Sequence, residues 1–359
     1  MGGLTVGESI AKFVGPNSLP RLVPSQAQAD GQASRSRRRR LFLSLSGATL
    51  VSLVLLGFLL YKFGGIDRSV ALALDASWTW LALSVAIYVI AAILRAWRWN
   101  LLLPSSTRPF PTLYAISSVH TMVNSLLPAR VGELAFPILM RTHAATGPSR
   151  SVTLFLVGRA LDLILLVFVF LIGSCVYLGV HSHPFALVLL AGLSLAGLLL
   201  LVRASPLFSY VLRRCETWFP TRRRFLEIGK RIEAELETAT SSRRLFSAAM
   251  VTAAMVLTRH AFYWSILVAL QSPLAFSAVI VGGTLGESTY LLPFHGVAGL
   301  GTVEAGWTVG MSLVGVSVPQ ALASGLFIHV WSLLLATLMG CLSLPLLRVS
   351  RQPSHAPGL

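Results

Sequence analysis

Charged residues are scarce in this chain. They make up 12% of its 359 positions, with only 13 acids, whereas an ordinary soluble domain carries roughly 25%. With 55% hydrophobic residues and a mean hydropathy of +0.74, that scarcity excludes both a soluble globule and a disordered chain. Cysteine is rarer still. Cys175, Cys215 and Cys341 are odd in number and show no C-x-x-C spacing, so neither a disulfide framework nor a metal site is implied; they read as small buried hydrophobes. Lysine is confined to Lys12, Lys62 and Lys230, leaving arginine to supply nearly all of the 29 cations. The net charge of +16 accompanies apolar runs longer than a soluble core needs, which excludes a nucleic-acid partner. No G-x-x-x-x-G-K-S/T phosphate loop occurs, so ATP hydrolysis is not expected and no cofactor is called for.

What is present is membrane-spanning text. Residues 1–40, with Arg35 and Arg37 to Arg40, read as a disordered basic tail. The first long apolar run begins only at Leu41 and is about 20 residues long, too late and too long for a cleaved signal peptide. Runs at 41–63, 78–98, 153–180, 184–202, 247–270 and 319–346 are each long enough to cross about 30 Å of hydrocarbon as helix. Two further stretches, 110–140 and 275–317, are interrupted by Pro128 and Pro293 with glycines nearby (Gly132; Gly296, Gly299 and Gly301). Proline removes a donor and clashes with the preceding turn, so each reads as a re-entrant hairpin whose broken backbone lines a protein-enclosed or wet site. The fold expected is all-α and polytopic, with six full spans and two re-entrant broken-helix hairpins.

The cations orient it. With the N-terminal tail inside, the inner segments hold 24 cations, Arg95 and Arg98 among them, and the outer side holds Lys62 and Arg68. That bias places both termini, and the tail 349–359, in the cytoplasm of a cell carrying the protein in its cytoplasmic membrane. The first hairpin then enters from inside and the second from outside. A single membrane domain, 41–348, divides into repeats 41–180 and 184–346, each ordered span, span, hairpin, span, and the hairpins share Leu126-Leu127-Pro128 and Leu291-Leu292-Pro293. This is the inverted-repeat plan of secondary transporters; chance recurrence in a Leu-rich chain is the alternative. The linker 205–245 carries Phe225, Ile228, Ile232 and Leu236 at helical spacing opposite Arg222 to Arg224, Lys230 and Arg231, an amphipathic helix for the anionic inner leaflet or for solvent.

A charge left at mid-bilayer costs about 2.5 to 3.5 kcal/mol and needs a partner or a function. Glu133, Asp162, Glu287 and Glu304 qualify among the acids, and Arg130, Arg159 and Arg259 among the cations. Arg159 and Asp162, three apart on one helical face, are close enough to pair, and read as a buried intrahelical or interhelical pair or as substrate contacts. Arg130 and Glu133 follow Pro128, where a second half-helix should begin; its N–H groups and partial positive charge suit an anion such as a lipid phosphate. Glu133 would accept Arg130 or Arg259, and Asn124 offers both donor and acceptor. In the second hairpin Gly296, Gly299 and Gly301 allow close backbone approach to a headgroup, with Glu304 at the related position and Arg259 facing the loop. His295 reads as structural.

Four segments carry a family resemblance: Arg95-Ala96-Trp97-Arg98-Trp99, Asn124 through Pro128 to Glu133, Arg159-Ala160-Leu161-Asp162, and Leu292-Pro293 through Gly301 to Glu304. Over residues 45–346 the chain resembles the flippase-like membrane domain of lysylphosphatidylglycerol synthases. The resemblance implies handling of lipids with polar headgroups, such as aminoacylated phospholipids, polyprenyl-phosphate sugars or hopanoid-type lipids. Two positions depart from the family pattern: Leu134 to Pro137, where members commonly carry another Arg, and Gly158, where an acid is common. The aminoacyl-transferring domain is not seen after the last apolar run, so synthase activity is not expected.

The leading expectation is a lipid flippase or transporter. The others are an enzyme acting on a lipid phosphate with Glu133 or Glu304 as base, and a non-transporting partner of a membrane glycosyltransferase or other lipid-biosynthetic enzyme. Transport would be downhill or ion-coupled, with protonation of Glu133 or Glu304 as the coupling step. The sequence sets no oligomeric state.

Overall fold

Proline and glycine set where helices begin, and the apolar runs set how far they go. Pro148 occupies the first helical position after Gly147, and the chain then stays helical to Leu178, because the missing N–H needs no partner there. The computed structural model describes residues 65–103, 109–179, 184–218, 223–289 and 297–350, with positions 54, 57 and 61; they lie in one compact unit beginning at Ala48. Among the described residues every regular element is helical: α1 (Gly65–Leu74), α2 (Trp78–Leu102), α3 (Phe110–Leu126), α4 (Ala135–His143), α5 (Pro148–Leu178), α6 (Pro184–Val202), α7 (Ala204–Trp218), α8 (Arg223–Ala239), α9 (Ser242–Ala269), α10 (Phe276–Ser288), α11 (Thr302–Leu313) and α12 (Val318–Ser350).

Four helices are long and apolar enough to cross a membrane, Trp78–Leu102, Pro148–Leu178, Arg243–Ala269 and Val318–Arg348. They correspond to the runs expected at 78–98, 153–180, 247–270 and 319–346. The run at 184–202 forms α6, which qualifies as a span only when Leu195–Leu201 is joined to Ala204–Arg214 across a bend of 59°. The run at 41–63 falls almost wholly outside the described residues, as do the tails 1–40 and 351–359.

At the centre α2 packs along α9, α3 packs along α12, and α10 packs along α5. Two apolar clusters flank this centre. One gathers Trp99, Leu113, Phe136, Leu161 and Val256, the other Leu81, Ile266, Val279, Trp307 and Met311. Along α2 and along α9 the two clusters occupy opposite ends, so the polar residues between them lie mid-helix. Apolar packing thus holds the ends of the bundle together and leaves a polar layer in its middle.

Each of the two interrupted stretches contains two helices, and the first departs from expectation in detail. In the first, α3 ends at Leu126, and Pro128–Leu134 forms a 3-10 segment before α4 starts at Ala135. The anticipated half-helix therefore begins past Glu133, not before it, and Arg130 and Glu133 belong to a tighter 3-10 turn. Gly132 makes that turn possible: a Cβ there would stand 2.4 Å from Asn124 Cα. In the second, α10 and α11 are joined through 290–296, which includes Pro293, His295 and Gly296 and lies outside the described residues, and then through a short 3-10 turn, Val297–Gly299.

Helices α10 and α11 meet through two G-x-x-x-G faces, Gly282 with Gly286 and Gly306 with Gly310, the small-residue device that lets helix backbones approach in a membrane. A Cβ on Gly310 would fall 2.1 Å from the carbonyl oxygen of Gly282, whereas one on Gly147 would meet nothing within 4 Å. Gly310→Ala is expected to lower the melting temperature in detergent, with a cost of about 1 to 3 kcal/mol, and Gly147→Ala to leave it unchanged. Equal melting of the two variants would remove the close crossing.

The linker 205–245 is largely helical, as α7 and α8. Part of the amphipathic face expected to meet lipid or solvent is used inside the protein: Leu236 packs against the first apolar cluster and Gly229 lies under Leu212. Glu235 accepts from Arg150 Nε at 2.6 Å, and Ser209 donates to Glu233, fixing α8 to α5 and α7. Ile228 remains exposed.

Candidate functional site

Between the apolar clusters lie two adjoining cavities of about 230 Å³ and about 550 Å³ that share Asn124, Phe155, Arg159, Asp162, Arg259 and His329 in their walls. Four helices carry the shared residues, α3, α9 and α12 with one each and α5 with three, and α2 adds Tyr88, Arg95 and Arg98 on the smaller side. Among the described residues four arginines line the pair of cavities, Arg95, Arg98, Arg159 and Arg259, against three carboxylates, Glu133, Asp162 and Glu287.

The carboxylates are matched across helices. Arg98, only 3% exposed, offers Nη1 and Nη2 to the two oxygens of Asp162, and its guanidinium sits 4.5 Å from the centroid of the neighbouring Trp99 ring. Arg159 Nη2 donates to Glu133 Oε1 at 2.9 Å. Arg259 Nε stands 2.7 Å from Oε1 of the buried Glu287. Arg159 and Asp162 therefore pair across segments, with Glu133 and Arg98, and not with each other; the side chain of Arg130, one of the partners expected for Glu133, lies outside the described residues. Local spacing permits an i, i+3 pair, but α2 and the hairpin bring partners with better geometry.

Arg95 differs from the other three. Its Nη1 donates to Thr121 Oγ1 at 2.8 Å, Thr121 donates in turn to the Ser117 carbonyl, and Arg95 makes no ion pair with a described carboxylate. Nearby, Asn124 Oδ1 and His120 Nε2 are buried with no hydrogen-bond partner among the described residues. The cavity wall thus presents a cation, an amide and an imidazole that need a partner.

On the other side, His329 of α12 lines both cavities and bonds through Nδ1 to Glu304 Oε1 at 2.7 Å. Glu304 has no solvent exposure, and its Oε2 accepts from the Gly301 N–H at 2.7 Å, capping α11. Its role is thus one layer behind the wall, with His329 between it and the cavity. Gly301, at φ +87°, supplies the turn that this cap requires.

Of the residues singled out in the sequence, Asn124, Glu133, Arg159, Asp162, Arg259, Glu287 and Gly299 come together at the cavities. Pro128 and Gly132 shape the 3-10 turn from outside them, and Gly301 and Glu304 support His329 from behind. Pro293, Gly296 and the side chain of Arg130 lie outside the described residues. Arg95, Arg98, His120 and His329 were not singled out as site residues. Arg95 and Arg98 had been counted as cytoplasmic flanking cations, yet Trp99, Leu101 and Leu102 continue α2 beyond both. Their spacing of three, within a helix that stays apolar afterwards, is the signal that puts them on one inward face.

Residues 45–340 match the lysylphosphatidylglycerol synthase TM region. The chain belongs to that family. A comparison with curated proteins returns no match. Membership agrees with the four motifs read from the sequence, and three of them meet at one place: Arg98 of the first bonds Asp162 of the third, whose Arg159 bonds Glu133 of the second. Gly158, a departure from the family pattern, also has a local reason. A Cβ at Gly158 would fall 2.5 Å from the Trp99 ring, so the tryptophan stacked on Arg98 fills the space an acidic side chain would need. The chain is an integral, multi-pass membrane protein of a lipid-related family.

Proposed function

We propose that this protein is a lipid translocase that moves a lipid with an anionic, phosphate-bearing headgroup across the cytoplasmic membrane. The observation that carries this reading is the cavity between the helices, whose described lining holds one more arginine than carboxylates, with Arg95 left to a neutral hydroxyl. A desolvated cation in such a place is costly unless a ligand supplies its counter-charge, and a planar guanidinium matches phosphate oxygens two at a time. Arg95, Asn124 and His120 would hold the headgroup, while Leu127, Leu156 and Leu163, which edge the larger cavity, leave its acyl chains in apolar surroundings.

The inverted-repeat reading of six spans and two hairpins supports transport. If α2 corresponds to α9, α3 to α10, α4 to α11 and α5 to α12, then the packing of α3 on α12 is the counterpart of α10 on α5. The charges obey the same correspondence. Arg159, eleven residues into α5, holds the carboxylate of the first hairpin, and His329, eleven residues into α12, holds that of the second. Both termini are placed in the cytoplasm by the cation bias, which stays strongly inward even after Arg95 and Arg98 are moved into the cavity. The protein's partners are then the bilayer, its lipid substrate and whichever lipid-biosynthetic enzyme supplies it.

The test uses full-length protein in liposomes containing fluorescent phosphatidylglycerol and an impermeant quencher. Transport is expected to raise the quenched fraction above the outer-leaflet share with the lipid chemically intact. A fraction no higher than in protein-free liposomes rejects the translocase, and a modified lipid redirects the site to enzymology.

A further inference from the structure

His329 and Glu304 form a pair that the headgroup-binding reading leaves unused. The pair is almost wholly out of solvent, with side-chain exposures of 2% and 0%, and joins α12 to the first turn of α11. Its counterpart in the other half, Arg159 with Glu133, carries a fixed positive charge. An imidazole can bind a proton at its second ring nitrogen, whereas a guanidinium is already fully protonated.

We propose that His329 is a proton-binding site whose occupancy is linked to binding of the anionic headgroup, so that the lipid and a proton are carried together. The proposal rests on the anionic-lipid reading of the same cavity.

The geometry gives each nitrogen a separate task. Glu304 already accepts the Gly301 N–H, so as a carboxylate it takes the Nδ1 proton of His329. This fixes the tautomer and leaves Nε2 as the free base. No described group hydrogen-bonds Nε2, and the ring lines both cavities. Gly299, at φ +72°, lies beside that edge of the ring; a Cβ there would stand 3.8 Å from Nε2. A proton delivered by water through the cavity forms the N–H bond at Nε2, and the imidazolium then faces the cavity with Glu304 as its counter-ion behind. When the anion leaves, the same proton returns to water and neutral histidine is restored.

The surroundings make this charge matter. Arg159 and Asp162 of α5 and Arg259 and Glu287 of α9 and α10 face the same space but are held in the cross-helix pairs described above. Glu133 of the 3-10 turn, paired with Arg159, and Arg98 of α2, paired with Asp162, line the same space, as do Arg95 and Tyr88 of α2, Tyr263 of α9 and His120 of α3. A proton on His329 therefore adds a full positive charge to a wall whose carboxylates are already matched, and an anion in the cavity favours that proton. Linkage makes the effect reciprocal: the proton strengthens anion binding by the factor with which the anion strengthens proton binding, typically 5- to 150-fold for coupled sites. The first half, with arginine at the related position, holds its charge at every pH, which confines the proton dependence to the hairpin entering from the other side.

The test is equilibrium binding of dihexanoyl phosphatidylglycerol to the full-length protein in detergent, from about pH 5.5 to about pH 8, a window in which imidazoles titrate and the phosphodiester does not. The wild type is expected to bind about tenfold more tightly at the acidic end and to take up protons on binding from weakly buffered solution. His329→Gln should flatten the profile and abolish the uptake, whereas His120→Gln, which removes a headgroup contact, should weaken binding at every pH while the slope of the profile and the uptake per lipid bound persist. Level wild-type affinity overturns the proposal whatever the variants do, as does a profile flattened by His120→Gln and not by His329→Gln. Absence of binding at every pH would sink the anionic-lipid reading together with this one, whereas binding that ignores pH sinks only the proton site.

Discussion

Asp162→Ala is expected to lower the melting temperature and the folded yield more than any other single change at the cavity. Its partner Arg98 is 3% exposed, lies against the Trp99 ring, and sits where α2 and α5 are locked by Gly158 making room for that ring. Removing the carboxylate leaves a buried guanidinium without its counter-charge, a change that costs about 3 to 5 kcal/mol. The partner matters for the rescue. Arg159 and Asp162 lie on one face of α5, so sequence spacing alone would pair them and look for rescue in the variant lacking both. The cross-helix geometry predicts no rescue from Arg159→Ala, which removes the Arg159–Glu133 bond as well. Recovery is expected from Arg98→Met with Asp162→Leu, which replaces a buried ion pair by apolar groups of similar reach. Thermal melting of the three variants in one detergent decides it; an Asp162→Ala protein that melts with the wild type would show that the Arg98 pair is not structural.

How much of this was legible in the sequence follows from what kind of information each feature needs. Spans are additive properties of short windows, so α2, α5, α9 and α12 could be read from hydropathy, and the break at Pro128 from the chemistry of one residue. The hairpin interior was harder. Proline announces that a helix stops, but the choice between a new α-helix and a 3-10 turn after it was made by Gly132 settling onto the backbone of Asn124, a contact between segments. Charges at membrane depth were legible as anomalies, which is why Glu133, Asp162, Arg159, Arg259 and Glu287 were all named and all reach the cavity.

Their partners were not legible. Glu304 was read as a cavity carboxylate because a Glu among glycines looks unsatisfied, yet it is satisfied twice, by Gly301 and His329. His329 escaped notice because a histidine inside an apolar run hardly lowers its hydropathy, and its significance comes from a carboxylate 25 positions away. Arg95 and Arg98 were misassigned by a rule that works. The positive-inside rule counts cations near the ends of apolar runs, and the run 78–98 seemed to end there; one further turn, with Trp99, Leu101 and Leu102, carries the helix on.

Arg95→Gln should separate function from folding. The side chain is half-buried, bonds only the Thr121 hydroxyl and makes no ion pair with a described carboxylate, so no opposite charge is stranded when it goes, and glutamine can still donate to Thr121. The melting temperature is therefore expected to stay near that of the wild type. The anion loses its charge-assisted hydrogen bonds, worth about 1.5 to 3 kcal/mol, or roughly a ten- to hundredfold loss in affinity. Transport of fluorescent phosphatidylglycerol should fall with it at subsaturating lipid. Arg95→Lys restores the charge without the planar fork and is expected to recover part of the binding. Arg259→Gln provides the contrast, since it strands the buried Glu287 and should reduce melting temperature and transport together. If Arg95→Gln destabilises as Arg259→Gln does, Arg95 is a structural residue; if it binds and transports the lipid as the wild type does, the headgroup is held elsewhere.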